Sequence, residues 1–265
     1  MKIQKSRSKS TSNEEVKEWV IVSENSSKNI FNGYDHYELE SKVFKYRECI
    51  TNEGKTQYHI VTNETPFYPE GGGQIGDTGE IISNSATITV KNTFKESEDI
   101  IHLVDNLPNK LEEPLLMKID KDRRASIQRN HTSTHLLQFA LKKILGNHIE
   151  QRGSMLAEDI FRFDFSHQSK VSDKELKDVE ELVKSFIKDE IQCIEDRQAN
   201  YHDAINAGAI GLFSEKYGDV VRTIKFGESY ELCGGTHVKN TTEIEAVSYT
   251  HRRCRRIERC RSRWS

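Results

Sequence analysis

The chain has 265 residues, a formal net charge of −3, 35% hydrophobic residues and a mean hydropathy of −0.72. That length supports one large domain or two small ones with real cores, and no apolar run approaches the roughly 18 residues that a membrane span needs. The first 15 residues are polar without an apolar stretch, which argues against a secretory signal, and five scattered Cys without disulfide-like spacing fit a reducing cytoplasm.

In chain order, residues 1–15 read as a polar leader or the end of a linker. From Trp19 the signals are β: Trp19–Val22, Ser41–Arg47, Thr56–Val61, Ala86–Val90, Ile100–Val104 and Leu115–Ile119 are short, rich in β-branched or aromatic residues, and separated by turn formers. Their close spacing predicts a β-rich subdomain over 16–118, a small barrel or sandwich. The period then changes. Ile127, His131, Thr134, His135, Ala140, Leu141 and Leu145 recur at helical spacing over Asp122–Leu145, with Gly146 placed to end the helix. Phe161–Phe165 alternates like a strand. Ser172 opens a second helix running to about Ile191, with Leu176, Val179, Leu182, Val183, Phe186 and Ile187 on one face. A strand over Cys193–Arg197, a short helix near His202–Gly208 and a strand over Val220–Phe226 complete an α+β subdomain over 119–248.

Two pairs of residues carry the strongest chemistry. His131 and His135 lie four apart and project from one helix face about one turn apart. Cys233 and His237 frame a short Gly-containing loop that can close on one ion. His and Cys are preferred zinc ligands, and three His plus one Cys make a tetrahedral set if the fold joins pairs roughly a hundred residues apart. Taken singly, each pair has a plainer reading: a partly exposed helix face for the histidines, a buried inert thiol for Cys233. Together they predict a metal site, which is expected to lie in a cleft between the two subdomains.

Phe67–Gly79 holds five Gly in 13 residues, including Gly71, Gly72 and Gly73. Consecutive glycines cost folding entropy, so they imply unusual φ or a close backbone approach. The stretch lacks a Gly-Lys-Ser/Thr ending and is not a P-loop. A tight inter-strand bend and a substrate-facing loop are both open on spacing alone.

The last 15 residues carry seven Arg and one Glu, a net of +6 that leaves −9 for the other 250. One reading is a nucleic-acid-binding arm. The abrupt change of composition after Val247 favours the other: a segment over 249–265 foreign to the fold, disordered and dispensable, from an expression scar or a reading-frame error.

The stretch Pro69–Gly79, the pair His131 and His135, the run His148–Ser154, the run Arg162–His167 and the Cys233–His237 loop, in that order, resemble the alanyl-tRNA synthetase family, especially its editing domain and the related free-standing editing proteins. The resemblance runs from about Trp19 to Val247. Threonyl-tRNA synthetases carry a related domain, but the Glu70–Gln74 loop points to the alanyl branch. The family's ATP- and alanine-binding catalytic domain, its tRNA-binding helical domain and its C-terminal oligomerising domain have no counterpart in this sequence, and Arg255–Glu258 matches the family in letters only.

The resemblance implies an α+β editing subdomain of the threonyl/alanyl second-additional-domain type beside the small β-barrel-like one. It implies zinc held by His131, His135, Cys233 and His237, and hydrolysis of mischarged seryl- and glycyl-tRNA(Ala). The partner would be the aminoacylated acceptor end of tRNA(Ala), in the cytoplasm, while alanine ligation with ATP would belong to a parent protein. The need for such a site is physical: a small apolar pocket rejects an added hydroxyl by only about 10²-fold. Four protein ligands make a closed site, whereas catalysis needs an open position, so His237 is expected to be the looser group, a base or an orienter of water. By resemblance Gln151 sits in the editing pocket and acts on the substrate. Gly71, Gly72, Gly73, Gln74 and Thr132 are further candidates for substrate binding. A free-standing trans-editing deacylase and a non-enzymatic, zinc-stabilised RNA-binding module are the alternatives.

Overall fold

The computed structural model describes residues 15–23, 29–211, 217–244, 248–254 and 257–263, the last two ranges as backbone only. Internal contacts divide the chain into two compact units, Met1–Glu70 with Gly76–Lys121, and Gly71–Ile75 with Asp122–Ser265.

The first unit is built from β1 (Glu15–Val16), β2 (Val20–Ile21), β3 (Ile30–Phe31), β4 (Glu38–Ser41), β5 (Val43–Ile50), β6 (Thr56–Thr62), β7 (Glu64–Thr65), β8 (Gly79–Ile82), β9 (Thr87–Glu96), β10 (Asp99–Val104) and β11 (Leu115–Ile119). Its main sheet is antiparallel in the order β1-β5-β6-β10-β9-β8-β11-β4, with β2 also on β5, while β3 and β7 form a small parallel pair. The residue pattern explains which side is core. In β9 Ile88 and Val90 are buried while Thr87, Thr89 and Lys91 are exposed, the period of two that puts alternate side chains on opposite faces. Leu115, Met117 and Ile119 of β11 pack with Val43, Ile60, Phe67, Ile81 and Val104.

No ladder among the described residues joins β1 to β4, so no closed barrel is seen over this region, although β4 and β5, separated only by Lys42, carry the chain from the β11 ladder to the β6 ladder. Alternation reports a half-buried strand but says nothing of closure, which depends on tilt and stagger along the ladders.

The second unit is α+β. It contains α1 (Lys121–Leu145), β12 (Gln151–Leu156), β13 (Ile160–Phe165), α2 (Asp173–Lys188), β14 (Ile194–Asn200), α3 (Tyr201–Asn206), β15 (Val220–Phe226), β16 (Ser229–Leu232), β17 (Ser248–Cys254) and β18 (Ile257–Arg263). Two antiparallel sheets have the orders β12-β13-β18-β17 and β14-β15-β16. α1 is buried continuously from Asn130 to Gln138, polar residues included. Its Leu136, Leu137, Ala140 and Leu141 join Phe161, Phe163, Phe165, Val179, Val183 and Phe226 in one core. α2 begins with a capping box: Ser172 Oγ accepts from the Glu175 amide at 3.3 Å, and Glu175 Oε2 accepts from the Ser172 amide at 2.7 Å. Such a cap contributes about 1 kcal/mol. Among the described residues no helix is long and apolar enough to cross a membrane.

The last segment differs from expectation. In place of a disordered tail over 249–265, β17 and β18 pair with each other and β18 pairs with β13 from Ile160↔Arg263 to Phe165↔Glu258. The reason is that a strand ladder is a backbone bond pattern. β13 presents a free edge of N–H and C=O groups on the side away from β12, and an Arg-rich strand satisfies it as well as an apolar one. Residues 255, 256, 264 and 265 lie outside the described residues, as does almost all of the expected leader over 1–15.

Candidate metal centre

α1 brings His131 and His135 to one side, with ring centroids 5.1 Å apart. The loop after β16 brings Cys233 and His237 to the same place. One ligand atom from each of the four lies within 4.8 Å of the others. Cys233 Sγ is 3.4 Å from His131 Nε2 and 3.3 Å from His237 Nε2, and the His237 ring centroid is 4.2 Å from that of His131 and 4.5 Å from that of His135. The three histidines are buried and Cys233 is half-buried. All four belong to the second unit, and so does the loop beside them.

Electrostatics suit neutral imidazoles that offer lone pairs. Burial holds His131 and His237 well below the ordinary imidazole range, reinforced by the neighbouring histidines and by Arg222. Burial lowers His135 to about 3, with Arg222 adding to the effect. Burial also pushes the Cys233 thiol up to about 12. A divalent cation reverses that last effect, because a coordinating thiol is deprotonated.

Two of the imidazoles have a buried hydrogen-bond partner, and the third has a buried carboxyl nearby. Gln74 Oε1 is 2.9 Å from His131 Nδ1, and Thr132 Oγ1 is 3.1 Å from His237 Nδ1. Glu231 Oε2 lies 3.6 Å from His135 Nε2, and burial raises the Glu231 carboxyl to about 8. His135 Nδ1, fully buried, has no hydrogen-bond partner among the described residues. A buried ring nitrogen without a partner is costly, and a metal ion is one way to satisfy it. Three imidazoles, one thiol, outer partners and one orphaned nitrogen fit a zinc ion.

The loop geometry is held by Arg222 of β15. Its Nη1 donates to the carbonyls of Cys233 and Gly235 at 2.7 Å each, and its Nε donates to Glu195 Oε1 at 2.6 Å. Gly235 passes so close to His131 that a Cβ there would overlap the imidazole ring. The glycine in Cys-Gly-Gly-Thr-His is therefore required by close approach.

The Gly71–Ile75 loop lies along the end of β12. Leu156 N donates to Gly73 O at 2.8 Å and Ile75 N donates to Leu156 O at 3.2 Å. Gly72 and Gly73 have φ of +60° and +88°, and a Cβ on Gly73 would overlap the Ser154 side chain. Gly72 is exposed, Gly71 and Gly73 are half-buried, and all three remain accessible. Gln151, half-buried at the start of β12, donates from Nε2 to Ser154 Oγ at 3.1 Å. A continuous path thus runs from Gln151 through Ser154 and Gly73 to Gln74 and His131.

Two residues expected to contact substrate are buried within the site. Gln74 is fully buried and its amide is occupied by His131 and Thr236. Thr132 is also fully buried, with Oγ1 engaged by His237 and by the Val238 amide. Sequence reading missed Arg222, Glu231, Thr236 and Ser154. The available signal was a charged residue inside an apolar strand, Arg222 in Val220–Phe226 and Glu231 beside Leu232; nothing in composition marks the other two.

The model for tRNA synthetases class II (A) matches residues 1–124, and the model for the threonyl and alanyl tRNA synthetase second additional domain matches residues 221–261. The second match extends into the Arg-rich segment, which sequence reading placed outside the family. An alanine–tRNA ligase of Christiangramia forsetii is 44% identical over 245 residues, covering 92% of this chain and 28% of that protein. One of Cytophaga hutchinsonii is 46% identical over 246 residues with the same coverage, and one of Bacteroides fragilis is 44% identical over 247 residues. By sequence the chain belongs to the alanyl-tRNA synthetase family, and it spans 28% of the length of the relatives it matches.

Proposed function

We propose that the second unit is a zinc-dependent aminoacyl-tRNA deacylase, the editing part of an alanine–tRNA ligase, acting on seryl- and glycyl-tRNA(Ala). The observation that carries this reading is the convergence of His131, His135, Cys233 and His237 within 4.8 Å in a domain of the threonyl/alanyl type. A zinc ion held there would supply an activated water and stabilise charge on the ester carbonyl. His131, His135 and Cys233 hold the ion, while His237 is the fourth ligand or the group that handles a proton. Gln151 recognises the serine hydroxyl: its Nε2 is committed to Ser154, and Oε1, without a hydrogen bond among the described residues, is left to accept. The exposed Gly72 and its neighbours give the acceptor end close access to backbone. Alanine ligation with ATP, recognition of tRNA(Ala) and a cytoplasmic setting belong to the whole protein under this reading.

A second reading has its own observation. Four buried or half-buried donors around one point describe a closed, structural zinc site, so the unit could be a zinc-stabilised RNA-binding module without catalysis. Hydrolysis of seryl-tRNA(Ala) with and without chelator separates the two. Zinc-dependent release of serine supports the deacylase. Stoichiometric zinc with RNA binding and no hydrolysis at saturating tRNA supports the module.

A further inference from the structure

We infer that Gln74 is a positioning residue of the metal centre: its side-chain oxygen fixes His131 in the Nδ1–H tautomer and turns Nε2 toward Cys233. The inference rests on the metal reading above and assigns the Gly71–Ile75 loop a part in it.

One donor at this site cannot change role. The backbone N–H of Thr236 lies 3.0 Å from Gln74 Oε1, and a backbone N–H only donates. The atom it meets must be the amide oxygen, which removes the usual freedom to exchange O and N. Gln74 Nε2 then donates to Thr236 Oγ1 at 3.0 Å, so all these polar atoms agree on one orientation. The same Oε1 is 2.9 Å from His131 Nδ1. An amide oxygen only accepts, so Nδ1 carries the proton. In a neutral imidazole the lone pair is then on Nε2, the nitrogen 3.4 Å from Cys233 Sγ.

Burial makes this arrangement binding. Gln74 has no exposed surface and His131 is 5% exposed, so water cannot replace either contact cheaply. Gln74 also joins three segments: its own glycine loop, α1 through His131, and the Cys233–His237 loop through Thr236. Gly73, held at positive φ against Ser154, sets the turn that delivers the amide inward. The glycine-rich stretch is therefore both an accessible loop at Gly72 and, one turn inward, the orienting element of a metal ligand.

The test uses the full chain with 15N-labelled imidazoles and three forms: wild type, Gln74→Met and Gln74→Glu. Methionine keeps the length and apolar bulk of the side chain but offers no acceptor. Glutamate keeps both acceptor contacts, and Thr236 Oγ1 can turn to donate to it. In wild type the His131 Nδ1 should carry the proton, with Nε2 as the unprotonated or metal-bound nitrogen. By chelator competition, Gln74→Met should bind zinc about 10- to 100-fold more weakly, the range for loss of an outer partner of a ligand, and Gln74→Glu should recover most of it. An Nε2–H tautomer in wild type overturns the inference without any variant, even if Gln74→Met fails to fold. Unchanged zinc affinity in a folded Gln74→Met overturns it too. Nδ1–H on His131 in a chain that takes up no zinc would instead sink the metal reading and leave the tautomer assignment standing.

Discussion

Arg222 donates from Nη1 to the Cys233 carbonyl at 2.7 Å, and the same nitrogen reaches Gly235 at 2.7 Å. A planar guanidinium anchored on Glu195 thus fixes the backbone that carries two of the four candidate ligands. Lysine keeps the charge but cannot bridge both carbonyls and Glu195 from a single ammonium. Arg222→Lys should lower the stability of the metal-free chain by about 1.5–3 kcal/mol, the scale of charged hydrogen bonds. The urea midpoint followed by circular dichroism measures it. No change in midpoint would mean that the loop holds itself.

Zinc content tests the ligand set directly. Cys233→Ala should lose most of the bound zinc in elemental analysis, because the thiol sits within 3.4 Å of two of the imidazoles. Gly235→Ala should do the same without replacing a ligand, since its Cβ would overlap the His131 ring. Stoichiometric zinc in both Cys233→Ala and His131→Ala would place the ion elsewhere.

The pattern of what was legible follows from what each signal reports. Strands and helices were readable where one face is apolar, as in β9, β11 and α2. The four candidate ligands were readable because residue type and spacing carry the chemistry. Gln74 was not, since a glutamine after three glycines looks like a loop tip, and only its burial shows that the amide turns inward. Arg222 and Glu231 sit in strands whose apolar neighbours announce a core, while the carbonyls and Glu195 that hold Arg222, and the burial that keeps the Glu231 carboxyl protonated, appear only in the fold. The Arg-rich segment misled for the opposite reason: composition judged its side chains, and the ladder with β13 uses its backbone. Closure of the first sheet was never in the pattern at all.

His102 gives the first unit a defined response to acid. The ring is fully buried, with Nδ1 3.0 Å from the Ile60 carbonyl and Nε2 2.8 Å from Thr65 Oγ1, and burial lowers it to about 4. Unfolded histidine titrates near 6.5, so between about 6.5 and 4 the unfolded state binds more protons. Stability is full above about pH 6.5 and falls as pH drops toward 4, by about 3 kcal/mol from this one group. His102→Gln should flatten that part of the stability–pH curve relative to wild type. Because His59 and the metal-centre imidazoles are also depressed, the difference between the two curves is the quantity to read. Parallel curves would show that His102 is protonated without penalty.

Selectivity is the sharpest consequence of the proposed activity. Seryl-tRNA should be hydrolysed and alanyl-tRNA spared; glycine lacks the hydroxyl as alanine does, so cleavage of glycyl-tRNA rests on its missing methyl and not on this contact. A site built to hydrogen-bond a hydroxyl rejects the analogue without it by about 10⁴–10⁵, whereas an apolar pocket rejects the added hydroxyl by only about 10². Under this proposal Gln151 takes that role: a hydrogen bond to Ser154 Oγ at 3.1 Å holds one end of its amide and leaves the other for the substrate. Gln151→His should reduce seryl-tRNA hydrolysis while bound zinc and the circular dichroism spectrum stay unchanged, because no hydrogen bond of the metal centre passes through Gln151 itself. Ser154→Ala should weaken the same discrimination less, by freeing the amide rather than removing it. The comparison belongs at saturating tRNA or on a short aminoacylated acceptor-stem mimic, where elements outside this chain do not limit binding. Equal hydrolysis of seryl- and alanyl-tRNA by the wild-type chain would remove the selectivity claim, and undiminished selectivity in Gln151→His would move recognition to another residue.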